Sequence, residues 1–292
     1  MTPDVVGQNE DQTKLRIRRI IAYVVLVILV FLSLFPFYLL IINATRGKVQ
    51  NGLQFFPSGN LINNIKNLFG AQSKSLYGNI WSSFGYSFVI STLSCACSVY
   101  FSALTAYAIH VYNFKLKNAV FTFILLIMMV PTQSSAIGLY RMMIKWKLTD
   151  SLIPLIVPAV AAPAVFFFMK QYMDSALPLE IVEASRMDGC GEFRTFNTIV
   201  LPILKPAFAV QGIFSFVSAW NNYFMPRMIL QNKKTIPLVL QAMKANIQGN
   251  PQVAHQGIMY TYMVLAILPV VIVYPALSKF IIRGIALGSV KG

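Results

Sequence analysis

Residues 177–206 read LPLEIVEASRMDGCGEFRTFNTIVLPILKP. Pro178 suits a first helical turn, where its missing N–H has no partner to lose. Glu180 follows, where a carboxylate is favoured by the helix dipole. The apolar period runs to Asp188, and Gly189 supplies a residue that can turn left-handed and end the helix. A second short helix is expected near Glu192, with Phe193 and Phe196 on one face. Leu201 precedes Pro202 and is biased away from helical geometry, so that helix is expected to stop there. Exposed apolar side chains then stand beside Glu183, Arg186, Asp188 and Arg194. An apolar anchor with a charged rim suits a surface that docks a partner; a plain surface loop is the alternative.

Long apolar runs flank this segment on both sides. A helix crosses the ~30 Å hydrocarbon layer with about 20 apolar residues. Six stretches reach that length: 20–42 with Pro36, 84–110, 119–140 with Pro131, 152–172 with Pro154, Pro158 and Pro163, 207–230 with Pro226, and 258–282 with Pro269 and Pro275. The composition agrees: 57% of the 292 residues are hydrophobic and 11% charged, against about a quarter charged in soluble domains. The chain therefore reads as an all-α membrane protein with six transmembrane helices. Its division is a polar leader at 1–19, a six-helix membrane domain at 20–282 enclosing the loop 177–206, and a short tail at 283–292. The repeated prolines predict bent helices, since each removes a hydrogen bond and bends the rod.

Charge orients the chain. The leader ends in Lys14, Arg16, Arg18 and Arg19, a hold on the cytoplasmic side. Six spans then return the carboxyl end to the same side and place 177–206 in the cytoplasm. Lys115 and Lys117 agree, whereas Arg141, Lys145, Lys147, Lys233 and Lys234 fall outside. Of nine acids, Asp150 alone lies on the proposed outer side, which leaves that face basic. The net charge of +15 is carried mostly beside apolar runs, where it anchors loops at headgroups. It shows none of the interleaved aromatic residues of a nucleic-acid module.

Catalytic chemistry finds little support. No G-x-x-x-x-G-K-[ST] phosphate loop is present. His110 and His255 sit at span ends and read as exposed loop histidines. Cys95, Cys97 and Cys190 read as small residues rather than as metal ligands or a disulfide framework. No catalytic and no metal-binding residue is assigned. An ion-coupled secondary transporter would carry ionisable residues at mid-membrane, and the central thirds of the six spans hold essentially none. Trp220, Asn221, Asn222 and Tyr223 are polar and aromatic groups within a span. Intramembrane polar residues usually face the bundle interior, so these four are candidates for a substrate path. Hydrogen bonding between helices is the plainer alternative.

The loop resembles the EAA loop of ABC importer permeases, whose pattern is E-A-A, three residues, G, nine residues, I-x-L-P. Glu183, Ala184, Ser185, Gly189, Ile199, Leu201 and Pro202 fall at that spacing, and Asp188, Phe196 and Pro206 match the carbohydrate version. Ser185 and Cys190 depart mildly, both to small residues. Similarity continues through MMVPTQSSAIGLY (128–140), SAWNNYFMP (218–226) and the ending RGIALGSVKG (283–292). The chain is similar to the maltose-permease-G-like branch, and within it to lactose and arabino-oligosaccharide permeases. The resemblance implies a type I ABC importer permease fold with cytoplasmic EAA coupling helices, in the inner (plasma) membrane with both termini cytoplasmic. It implies a transport subunit, not an enzyme, without a cofactor of its own; ATP and Mg would bind a partner ATPase. The implied partners are a second, unlike permease, two ATPase subunits and an extracytoplasmic sugar-binding protein. Glu183 through Pro202 would couple to the ATPase. Gly288, Ser289, Val290, Lys291 and Gly292 would reach toward it, and 231–256 would meet the binding protein. The cargo would be an oligosaccharide, with glycerol phosphate or an acidic oligosaccharide as the alternative.

Overall fold

The structure is a computed structural model that describes residues 4–48, 53–249 and 256–288. In chain order, α1 spans Asp4–Ala44, α2 Leu61–Leu68, α3 Ala71–Tyr77, α4 Ile80–Val111, α5 Lys117–Met128 and α6 Thr132–Lys145. Next come α7 Ile153–Ile156, a 3-10 turn Val157–Val160, α8 Pro163–Ala176, α9 Leu179–Met187 and α10 Glu192–Thr195. A π turn Phe196–Val200 leads to α11 Leu201–Ile203, then α12 Lys205–Trp220, α13 Phe224–Ile229, α14 Ile236–Gly249 and α15 Gln256–Gly288. Among the described residues there is no strand.

Four segments are long and apolar enough to cross a membrane as they stand: Lys14–Ala44, Ile80–Val111, Ile153–Ala176 and Gln256–Ser278. Two more qualify as bent pairs, which brings the count to six. The first expected rod that breaks is 119–140. Its halves, 117–128 and 133–145, meet at 94°, because Pro131 cannot continue the α5 ladder and its φ of −61° with ψ of 124° is extended. The stretch 207–230 also breaks: α12 ends at Trp220, Asn221 to Tyr223 interrupt it, and α13 resumes. Upstream, the chain turns by 82° between 192–203 and 205–229. The stretch 152–172 is three pieces, not one rod. By contrast, Pro36, Pro269 and Pro275 lie inside continuous helices.

α4 is the central post. It packs along α12 and α8, α12 packs along α15, and α1 rests on α15. Every third or fourth residue of α4 is a buried serine: Ser83, Ser87, Ser91, Ser94, Ser98 and Ser102. Small side chains let the helices approach, and several of the hydroxyls bond across helices where water is absent. Ser94 donates to the Leu155 carbonyl and Ser102 to the Ala162 carbonyl, both at 3.3 Å. Those carbonyls lie in the proline-broken span, so neighbouring helices supply bonds that the local ladder lacks. Ser98 meets Ser215 of α12 at 3.0 Å, and Ser83 meets Tyr262 of α15 at 2.8 Å.

One buried cluster joins α4, α8 and the loop through Ala106, Tyr107, Met169, Met173, Val182, Phe196 and Leu204. Another joins α4, α12, α14 and α15 through Ile80, Phe216, Trp220, Val239, Met243 and Tyr262. α1 is the reverse: its apolar side chains from Ile20 to Leu34 are mostly more than half exposed. In water that face would carry a large penalty, and lipid is the solvent that removes it.

Candidate functional site: the loop between α8 and α12

α9, the glycine turn and α10 appear where the sequence places them. Leu177 and Pro178 are extended, which starts α9 on a proline. Glu180 sits in its first turn and Arg186 in its last, the arrangement the helix dipole favours. Gly189 has φ of +77°, the left-handed region that non-glycine residues enter only at a cost. Its N–H donates to the Arg186 carbonyl, and the Cys190 N–H to the Ser185 carbonyl, both at 3.0 Å. These bonds satisfy the last carbonyls of α9.

α9 has two distinct faces. Val182 and Ser185 point into the bundle, at 0% and 3% exposure. The Ser185 hydroxyl donates to the Val182 carbonyl at 3.0 Å and meets the Thr195 hydroxyl at 2.9 Å. On the other face Leu179, Glu183, Ala184, Met187 and Asp188 are exposed, Met187 at 88%. Among the described residues Glu183 has no ion-pair partner. Phe193 is exposed, whereas Phe196 is fully buried. The two rings therefore do not share a surface: the backbone from Phe193 to Phe196 is α-helical and sets them about 60° apart, and the edge of the buried face falls between them. Ile199 is half-buried and Pro202 exposed.

The second helix does not stop at Leu201. The π turn widens the ladder just ahead of Pro202, and α11 carries the helix through the proline to Ile203. A wider turn leaves room for a ring that cannot donate an N–H. The break comes at Leu204, and Pro206 opens α12.

Sequence reasoning missed what α4 does here. His110 is not an exposed loop histidine. Its side chain is 12% exposed, with Nδ1 2.8 Å from an Asp174 oxygen and Nε2 3.0 Å from the Leu177 carbonyl. Lys170 holds the same Asp174 carboxylate at 2.5 Å. Three residues before His110, the Tyr107 hydroxyl donates to Glu192 at 3.1 Å. The other Glu192 oxygen accepts from Arg186 at 2.7 Å, and the Arg186 guanidinium lies 5.5 Å from the Tyr112 ring centre. His255 lies outside the described residues.

The four aromatic and amide candidates of the α12–α13 break divide. Trp220, Asn221 and Tyr223 line a groove of about 860 Å³ together with Gln241, Lys244 and Tyr274. Asn222 does not line it; its side-chain oxygen accepts from the Met225 N–H at 3.3 Å and starts α13. Trp220 is 3% exposed, and its indole N–H donates to the Ala266 carbonyl of α15 at 3.1 Å. Among the described residues no three His, Cys, Asp or Glu side chains gather as a metal-ligand set. In the carboxyl tail, Gly288 ends α15 and Ser289 to Gly292 lie outside the described residues.

Known proteins match this arrangement. The family model described as "Binding-protein-dependent transport system inner membrane component" matches residues 98–287. The arabinooligosaccharides transport system permease protein AraQ of Halalkalibacterium halodurans is 32% identical over 269 residues, 90% of this chain and 92% of that one. The lactose transport system permease protein LacG of Rhizobium radiobacter is 30% identical over 285 residues, 94% of this chain and 97% of that one. A chain in the crystal structure of a bacterial ABC transporter involved in the import of the acidic polysaccharide alginate superposes with a TM-score of 0.73 at 22% identity, covering 90% of this chain and 96% of that one. The chain belongs to the binding-protein-dependent transport system inner membrane components, and it is a permease subunit of an ABC importer.

Proposed function

We propose that the chain is one of two unlike permease subunits of an oligosaccharide importer, and that loop 177–206 lies on the inner face and seats α9 in a cleft of a separate ATPase. One observation carries this: α9 is anchored by Val182 and Ser185 yet presents Leu179, Met187 and an unpaired Glu183 outward. An apolar centre beside an unpaired charge is the composition of a docking surface. Both termini then lie inside, and residues 288–292 belong to the ATPase interface in this reading. ATP and Mg bind that ATPase and not this chain. ATPase closure, delivered through α9, swings the bundle between inward-open and outward-open states as a rigid-body change. An extracytoplasmic binding protein delivers cargo to the outer segment 231–256.

The arabinooligosaccharide and lactose relatives support a sugar cargo. The lining of the groove supports it as well: Asn221 and Gln241 offer amide donors and acceptors, and Tyr223 and Tyr274 offer aromatic faces. A second reading, an anionic cargo, is favoured by Lys244 on the same wall.

The test is co-expression with a cognate ATPase, partner permease and binding protein, followed by reconstitution into vesicles. The complex is expected to hydrolyse ATP faster when the binding protein is loaded with neutral oligosaccharide. Glu183→Ala with Met187→Ala is expected to weaken ATPase retention about tenfold while the chain still inserts. Full retention in that variant overturns the docking reading. Stimulation by uronate oligosaccharides or glycerol phosphate, with none by neutral sugars, selects the second cargo.

A further inference from the structure

Loop 177–206 is continuous with α8 before it and α12 after it, but neither junction is stiff. Leu177 and Pro178 are extended, and the chain bends by 82° at Leu204. A load on α9 would be absorbed at these joints if they were its only connections. A third connection exists, through α4, which is remote in sequence.

α4 grips the loop at three levels. At its end, the His110 ring bonds the Leu177 carbonyl at 3.0 Å and Asp174 at 2.8 Å, fixing the point where α8 hands over to α9. One turn earlier, Tyr107 donates to Glu192 at 3.1 Å. Glu192 in turn binds Arg186 at 2.7 Å, so the last turn of α9 and the first turn of α10 are closed on each other and on α4. Two turns earlier again, the Tyr100 hydroxyl donates to Asn197 at 3.1 Å. Beneath these bonds the Tyr107 ring packs 5.3 Å from the Phe196 ring, and Val182 and Phe196 are fully buried. Charge-assisted bonds of this kind are about twice as strong as neutral ones. Those that close a ring of residues resist deformation more than separate contacts do.

We infer that α4 and loop 177–206 form one rigid lever, with Tyr107 as a positioning residue. Displacement of α9 is delivered straight into the second span and not around the bend at Leu204. α4 carries it onward, because Cys95, Val99 and Tyr100 on that helix line a second groove of about 750 Å³ shared with α12 and α15. This inference rests on reading the loop as the ATPase dock.

Two measurements on the assembled importer test it. In the first, Tyr107→Phe removes the hydroxyl and keeps the ring. The expected result is a complex that assembles and hydrolyses ATP while the ATP consumed per sugar imported rises about tenfold. Glu192→Gln is expected to raise the same ratio, and the double variant to add little to either. An unchanged ratio in Tyr107→Phe overturns the role of Tyr107. In the second, Cys95, Cys97 and Cys190 are replaced by serine and spin labels are placed at Thr105→Cys on α4 and Glu180→Cys on α9. Their separation is expected to be the same in the nucleotide-free and ATP-trapped states. A change of several ångströms overturns the lever, and because Tyr107 is unaltered there, a misfolded first variant cannot hide that answer. Full ATPase retention in Glu183→Ala with Met187→Ala sinks the docking reading instead, so the two failures are separable.

Discussion

Gly257 lies against Arg46 so closely that a Cβ on the glycine would stand 1.6 Å from the Arg46 carbonyl oxygen and 2.5 Å from Nδ2 of Asn64. That approach closes the carboxyl end of α1. Asn64 donates to the carbonyls of Ala44 at 2.9 Å and Arg46 at 2.8 Å, and Thr261 donates to Ala44 at 3.2 Å. Carbonyls at a helix end have no partner in their own helix. Here α2 and α15 supply the donors, and only a residue without a side chain lets α15 come near enough to do so.

Gly257→Ala is therefore expected to force α15 away from α1. Overpacking typically costs about 1–3 kcal/mol, and the obstruction here is backbone, which yields least. The purified complex should melt at a lower temperature and accumulate at lower yield. Gly85→Ala, in the interior of α4 with nothing within 4 Å of the new methyl, is the control. It should be neutral or add up to about 1 kcal/mol, since glycine inside a helix is destabilising. Equal melting temperatures for the two variants would remove the close approach.

Gly189 is constrained differently. Its φ is +77°, and a Cβ there meets nothing within 4 Å, so a substitution is penalised by backbone geometry alone. Gly189→Ala is expected to cost about 1–2 kcal/mol of local stability, with Gly189→Asn less damaging because Asn tolerates the left-handed region. Hydrogen exchange at the Gly189 and Cys190 amides should rank wild type slowest, then Asn, then Ala. Equal exchange in all three would mean that the turn does not need its present handedness.

These two glycines mark the limit of what the sequence makes legible. Gly189 can be read from the chain because everything that specifies it is local: Pro178, the acidic first turn, the apolar period and the residue after it. Pro131 predicts a bend for the same reason, though not one as sharp as the 94° break. The close approach of Gly257 to Arg46 joins parts of the chain more than 200 positions apart, and nothing near either residue announces it. The His110–Asp174 contact is likewise tertiary, since each residue alone looks like a polar group at a span end. The helical period puts Phe193 and Phe196 on neighbouring positions of one side, but where the buried face ends between them is set by packing against α4, which is remote in sequence. Residue type alone marks 220–223 and cannot tell Asn222, spent on starting α13, from Asn221, which faces the groove.

Asp150 latches the connection between α13 and α14. Its φ is +60°. Its carboxylate accepts from the backbone N–H groups of Gln231, Asn232 and Lys233, each at 3.1 Å. Desolvation opposes the charge, but these three donors and the Asn232 amide outweigh it and hold the carboxyl below its ordinary value. A carboxyl with a lowered folded-state value contributes stability that is complete above the unfolded value, about 3.9. That contribution is lost as pH falls through the folded value. The melting temperature of the wild type should therefore be steady down to about pH 5 and lose ground to the Asp150→Asn variant below about pH 4, where the unfolded carboxyl takes up a proton before the latch does. At pH 7 the variant should be the less stable of the two. Parallel pH profiles would show that the carboxylate is not bound this way.

Trp220 and Asn221 are adjacent and line the same groove, yet their bonding separates their roles. The Trp220 ring stacks on Phe216 with centres 5.6 Å apart and gives its N–H to Ala266 at 3.1 Å. Trp220→Phe keeps an aromatic ring but leaves the buried Ala266 carbonyl without that donor, at a cost of about 1–3 kcal/mol. It should lower the melting temperature and change the apparent KM for cargo little. Asn221 is exposed, and Asn221→Ala should leave stability within about 0.5 kcal/mol. If sugar travels along the groove, that variant should raise the KM for transport severalfold with ATPase activity retained, because a hydroxyl loses its amide partner. A Trp220→Phe protein that keeps its melting temperature but loses cargo affinity would reverse the assignment. An Asn221→Ala protein with wild-type transport would place the sugar path elsewhere in the bundle.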